Sequence, residues 1–225
     1  MNLSDSIVNA YDRAAPWYDG WKWQLFWNRN EIPHVRELIA QSSGAKRAID
    51  IGTGTGRYVS MLRNQGVTAY GLDPSQEMLS VAATRLCGYE KLVHADACAR
   101  VFADAYFDVA IAARVLCHIV DLHAAFREFA RIVARGGRLI VTELDHDHDY
   151  ETTRLPLEGG KLSVATWKRK PLELIDTAQR FGWRIDELRQ IGAKECFWLP
   201  EPADLRSIDR SGARPIFNVI SLRRI

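Results

Sequence analysis

Residues 48–56, Ala48-Ile49-Asp50-Ile51-Gly52-Thr53-Gly54-Thr55-Gly56, constrain the fold more than any other stretch of the chain. A short apolar run ends at an acidic residue and is followed by glycines at alternate positions. The run reads as a buried strand and the glycines as the turn into a helix. Glycine is needed where backbone takes unusual dihedrals or where a ligand lies against the main chain without meeting a Cβ. Such a loop aims its amides, and the start of the next helix, at something polar or anionic. A dinucleotide fingerprint, G-x-G-x-x-G, would place its third glycine at position 57. Arg57 stands there, so NAD and NADP are not expected to bind.

From residue 46 onward, strand and helix patterns alternate, which argues for a parallel sheet covered on both faces. Strands are expected at 47–51, 67–72, 91–94, 107–112, 138–144, about 184–191 and 215–222. The helix after the glycine loop runs from about Thr55 to Gln65, and the next ends near Leu86. Asp121 caps a third, whose Leu122, Ala125, Phe126, Phe129, Ala130 and Val133 share one face. Pro171 opens a fourth, with Gly182 as its stop. Asp73 ends the second strand, where an acidic side chain can accept both hydroxyls of a ribose. With Pro74 and Gln76 after it, Asp73 can also cap the next helix, and the two roles are compatible.

Taken together, Asp50-x-Gly52-x-Gly54-x-Gly56, Asp73 and the later segments resemble the class I S-adenosylmethionine (SAM) dependent methyltransferases. The resemblance covers roughly residues 45–225. It implies a Rossmann-like α/β three-layer sandwich with a seven-stranded, mostly parallel sheet whose last strand runs antiparallel between its neighbours. It also implies a cofactor site. The glycine loop would hold the methionine end of SAM, Asp73 the ribose, and Asp96 and Ala97 the adenine, with Met78 following in the adjoining helix. Ala113 and Arg114, after the fourth strand, would border the methionine end. The turn Arg131–Gly137 is close to the family's usual form, with Arg135 where proline is more common. The spacing Tyr11-Asp12…Tyr18-Asp19 is similar to the N-terminal helix of small-molecule methyltransferases, which puts Tyr18 at the edge of the pocket.

Residues 1–41 match that family only loosely and read as helical, with an interruption at Ala14-Ala15-Pro16 and a kink or break at Pro33. Trp17, Trp21, Trp23 and Trp27 fall here, beside Tyr11, Tyr18 and Phe26. These rings either pack helices onto the sheet or form a lid over a cationic sulfonium and an apolar acceptor. The expected division is a lid segment at 1–41 and a SAM-binding domain at 42–225. SAM carries its own electrophile, so no strong catalytic motif is required and none is present. Candidates for a base or orienting group are His118, His146 and Tyr150, with Glu143 and His148 beside them. His146 and His148 alternate with aspartates, but no third ligand is indicated, so no metal is expected.

With 225 residues, 47% hydrophobic and 26% charged, the chain can bury a full core. A net charge of +2 gives no reason to expect nucleic acid or a membrane surface as a partner. Four scattered cysteines without a C-x-x-C pair, and no secretory signal pattern, fit a cytoplasmic protein. The expected function is methyl transfer from SAM to an O or N atom of a small, secondary-metabolite type of acceptor, by a monomer or homodimer. The alternatives are an enzyme that cyclises, cleaves or rearranges on the same cofactor site, and a non-catalytic SAM-binding module.

Overall fold

The computed structural model describes residues 3–42, 44–89, 91–147, 152–199 and 209–225. Two helices, α1 (Leu3–Tyr18) and α2 (Lys22–Ala40), precede an alternating unit. That unit comprises β1 (Arg47–Ile51), α3 (Arg57–Asn64), β2 (Thr68–Asp73), α4 (Gln76–Arg85), β3 (Leu92–His94) and β4 (Phe107–Ala113). A single 3-10 turn, Leu116–His118, leads to α5 (Leu122–Ile132) and β5 (Val133–Leu144). The chain continues through β6 (Thr152–Leu157), β7 (Gly160–Ala165), α6 (Pro171–Gln179), β8 (Trp183–Ile191) and β9 (Phe217–Arg224).

The main sheet has seven strands in the order β3-β2-β1-β4-β5-β9-β8. The first five pair in parallel, and β9 runs antiparallel between β5 and β8. The fold class expected from the sequence is therefore observed. Strand order reverses between β1 and β4, the place where open α/β sheets bind ligands beyond their carboxyl edge. Side chains alternate across the sheet as a two-residue period requires. Val109 and Ile111 join Phe26, Leu38 and Leu62 on one face. Ala110 and Ala112 join Phe126, Phe129, Leu174 and Trp183 on the other.

Both prolines expected to interrupt the N-terminal helices lie inside continuous ones. Pro16 falls in the last turn of α1, where few backbone bonds remain to be lost. Pro33 lies mid-helix, and burial of Val35, Leu38 and Ile39 beyond it outweighs a local penalty of about 3 kcal/mol. Helix α5 ends at Ile132 and not at Val133, because Val133 pairs with Phe107 and opens β5 before the Gly136 turn.

The expected lid boundary at residue 41 takes in α2. That helix places Phe26, Trp27, Val35, Leu38 and Ile39 in the same core as the sheet strands, so those rings are packing. Helix α1 belongs elsewhere. Its Ile7, Ala10 and Ala14 form a separate cluster with Leu155 and Val164 of the β6–β7 hairpin. The sequence reading expects only a short strand near Leu162–Trp167. The Gly159 turn, at φ +67°, was the available signal for the hairpin partner. All four cysteines are free, and no helix among the described residues is long and apolar enough to cross a membrane.

Candidate functional site

The glycine loop leaves β1 at Asp50, which is buried under it and accepts a 2.7 Å hydrogen bond from Thr53 Oγ1. Burial pushes the Asp50 carboxyl up to about 7, against the Thr53 bond, and nearby Asp73 adds to the rise. Asp50 therefore shapes the loop from behind. Gly52 has φ +67°, and a Cβ there would lie 2.3 Å from Val115 Cγ2, so only glycine lets this turn meet the segment after β4. Gly54, at φ +52°, is the opposite case: a Cβ would meet nothing within 4 Å. Gly56 caps α3 and sits tight against Ala82 and Leu86 of the α4 region, which makes it a packing glycine.

The Gly54 amide donates to Asp73 Oδ2 at 2.7 Å, and the Ser75 amide donates to Oδ1 at 2.9 Å. Each carboxylate oxygen keeps acceptor capacity for a further donor. Burial pushes Asp73 up to about 6, while these two amide bonds pull it down. Ser75, and not Asp73, caps α4: its Oγ accepts from the Met78 amide at 3.1 Å. The capping alternative for Asp73 is thereby removed. Met78 itself is fully buried and does not reach the cavity surface.

A cavity of about 1500 Å³ opens over the carboxyl edge of the sheet. Of the residues singled out by sequence, Tyr18, Gly52, Gly54, Asp73, Asp96, Ala97, Ala113, Arg114 and His118 line it. Asp50, Gly56 and Met78 stand behind that wall. His146 is not among the lining residues; its ring lies 3.4 Å from Asp145 and 3.3 Å from Asp147. Asp145 is in turn bound by Asn218 at 2.8 Å. Asp145, His146 and Asp147 offer donor atoms within 4.8 Å of one another, but they are adjacent loop residues with protein partners of their own. His148 and Tyr150 lie outside the described residues.

The cavity is roofed by α1 and the β6–β7 hairpin, neither of which sequence periodicity could place. Tyr11 reaches His118 Nε2 at 2.8 Å, and His118 Nδ1 lies 3.3 Å from the Ala165 carbonyl. A carbonyl can only accept, so Nδ1 carries the ring proton and the Tyr11 hydroxyl donates to Nε2. Burial pushes His118 down to about 4, leaving the ring neutral near pH 7. Burial likewise raises the Tyr11 hydroxyl well above its ordinary value. Glu143, buried at the cavity wall, accepts from the Cys117 amide at 3.1 Å, and burial pushes it up to about 7.

Two aspartates fasten α1 across the loop edge. Asp12 accepts from Ser75 Oγ at 2.6 Å and from the Glu77 amide at 3.2 Å. Asp19, just past the helix, accepts from Thr55 Oγ1 at 2.7 Å and pairs with Arg85. Beneath the cavity, Arg114 pairs with buried Glu31 and lies 4.6 Å from the Trp27 ring centroid. Sequence reasoning missed Glu31, Thr53, Thr55, Arg57 and Ser75 as neighbours of the site, because their meaning depends on partners distant in the chain.

Residues 49–141 match the family model described as a methyltransferase domain. The demethylmenaquinone methyltransferase of Thermus thermophilus is 31% identical over 144 residues, covering 59% of this chain and 63% of that protein. The chain covers less than two thirds of the length of the curated relatives it matches. Among solved structures, the CcbJ methyltransferase from Streptomyces caelestis superposes with a TM-score of 0.70 at 18% identity, covering 96% of this chain and 98% of that one. The cyclase SpnF superposes with a TM-score of 0.63 at 18% identity, covering 85% and 80%. At these identities the structural matches establish the fold alone.

Proposed function

We propose, for a chain that belongs to the class I SAM-dependent methyltransferase family, that it transfers a methyl group from SAM to an oxygen or nitrogen atom of a small acceptor. The observation that carries this reading is the joint placement of Asp73 and the open Gly54 turn on one roofed cavity. The residues present fit the cofactor. Gly54 leaves room against the backbone, Asp73 retains acceptor capacity for ribose hydroxyls, and Asp96 and Ala97 stand where the adenine would lie. When bound, SAM supplies a sulfonium whose methyl group is electrophilic.

What this chain contributes is alignment, exclusion of water and a place for a proton. Helix α1 and the hairpin wall off the side opposite the glycine loop. Tyr11 and His118 form the pair best placed to receive a proton from the acceptor: the Tyr11 oxygen keeps acceptor capacity while its own proton faces His118 Nε2. The roof supports a small acceptor over a nucleic acid or protein surface. The name of the Thermus relative makes a quinol one sensible member of an acceptor panel. The proposed setting is a cytoplasmic monomer or homodimer.

Release of S-adenosylhomocysteine (SAH) in the presence of one panel acceptor tests the reading. Methylthioadenosine as product, or consumption of acceptor without loss of SAM, would replace it with another reaction on the same site, as the SpnF likeness illustrates. His118→Ala is expected to lower kcat by about a hundredfold, the lower end of general acid–base effects. SAM affinity should be unchanged. An unaltered kcat assigns His118 to holding α1 in place.

The lid reading, now confined to α1 and the hairpin, has its own test. Amide exchange in residues 4–18 is expected to be fast in the free protein and to slow markedly with SAH, since a roof must open to admit ligand. Exchange as slow as in β1 and β4 without ligand would make α1 an ordinary packed helix.

A further inference from the structure

Arg57, the first residue of α3, lines the cavity, and its Nη1 is fully buried without a hydrogen-bond partner among the described residues. An unpaired buried guanidinium is costly, and native folds rarely keep one without a purpose. The nearby carboxylate is already taken: Glu31 accepts from Tyr58, from Thr142 and from Arg114. Two guanidiniums thus stand near one carboxylate, and the local charge is one anion short. Burial and the neighbouring Arg114 charge both push Arg57 below its ordinary value.

Arg57 directly follows Gly56, at the end of the loop away from Asp73 and Asp96. If those two aspartates hold the ribose and the adenine, the far end of the cofactor comes to Arg57. That end carries an α-carboxylate. We propose that Arg57 binds the methionine carboxylate of SAM and supplies the charge pairing that the free protein lacks. This rests on the functional reading above and extends it to a residue outside the recognised motifs. Guanidinium geometry suits a carboxylate through two parallel N–H donors, which a lysine ammonium cannot reproduce.

Calorimetry with SAH and with decarboxylated SAH isolates the contact, because the two probes differ only in that carboxylate. Wild type should bind SAH more tightly than the decarboxylated analogue. Arg57→Gln is expected to weaken SAH by about ten- to a hundredfold and leave the analogue unchanged, so that the preference disappears. Arg57→Lys should restore only part of it. The free Arg57→Gln protein should melt at or above the wild-type midpoint, since a buried unpaired charge has been removed.

Equal weakening of both probes, or of neither, overturns the assignment while leaving the functional reading intact. So does a fall of about 4 °C or more in the free protein's midpoint, which would show Arg57 already paired inside the fold. Raised KM for the acceptor with unchanged SAH affinity would assign Arg57 to the acceptor and also overturn the proposal. Wild type that binds no SAH sinks the functional reading and this assignment with it.

Discussion

Glu31→Ala is expected to lower the stability of the fold by about 3–5 kcal/mol, the cost of leaving a buried charge without its partner. Glu31 is fully buried on α2 and accepts from Tyr58 Oη at 2.7 Å and Thr142 Oγ1 at 2.5 Å, besides its pairing with Arg114. One carboxylate therefore ties α2 to α3, to β5 and to the segment after β4. Burial alone would raise its pKa, but the Arg114 charge and the three hydrogen bonds hold it below the ordinary value. A carboxyl depressed in the fold contributes stability above its unfolded pKa and loses it as pH falls through the folded one. The loss in Glu31→Ala should accordingly be full at pH 7 and shrink in acid. Urea unfolding at pH 7 checks it. A loss under about 1 kcal/mol would mean that Arg114 finds another partner and that the network is not what holds α2.

Asp73→Ala is expected to weaken SAM by about 1.5–3 kcal/mol, roughly ten- to 150-fold in Kd, the range for hydrogen bonds to a charged group. Unchanged affinity by calorimetry would count against the entire cofactor placement. The pH dependence sharpens the test. Burial raises Asp73 to about 6 in the free protein, and ribose hydroxyls bind best to its ionised form. SAM affinity should therefore rise as pH climbs through about 6 and level off above it, and Asp73→Asn should flatten that profile. The sign for the free protein is opposite. An acid whose pKa is raised by folding costs stability once ionised, so this cost grows from about the ordinary Asp value to about pH 6. Asp73→Asn should then melt higher than wild type at pH 7, even as it loses ligand.

Stability and binding thus pull apart at one residue. The same tension recurs at Arg57, where a charge that burdens the free protein waits for a ligand to pair it. Such conflicts between local comfort and placement are expected at functional sites, where some stability is given up for pre-organised contacts.

What the sequence determined by itself is whatever depends on near neighbours and on periodicity. The Asp50–Gly56 turn is local, since its shape follows from glycines at positive φ and from a Thr53–Asp50 bond three residues apart. The strands and the amphipathic α5 show in their burial patterns, and Asp73 is marked by its place at a strand end. The antiparallel last strand came through likeness to a family, because a strand's direction leaves no mark in its own residues. Tertiary structure alone decided the rest. Pro16 and Pro33 look like breaks to any local reading, and only burial against distant partners keeps their helices whole. The aromatic N-terminal segment looks uniform, yet α2 became core and α1 became roof according to which surfaces lay beneath each. Tyr11 and His118 meet across 107 residues, and Glu31 and Arg114 across 83. No period in the chain encodes such meetings; they arise from the folded path of the backbone, and so do the desolvation and charge pairing that set those residues' chemistry.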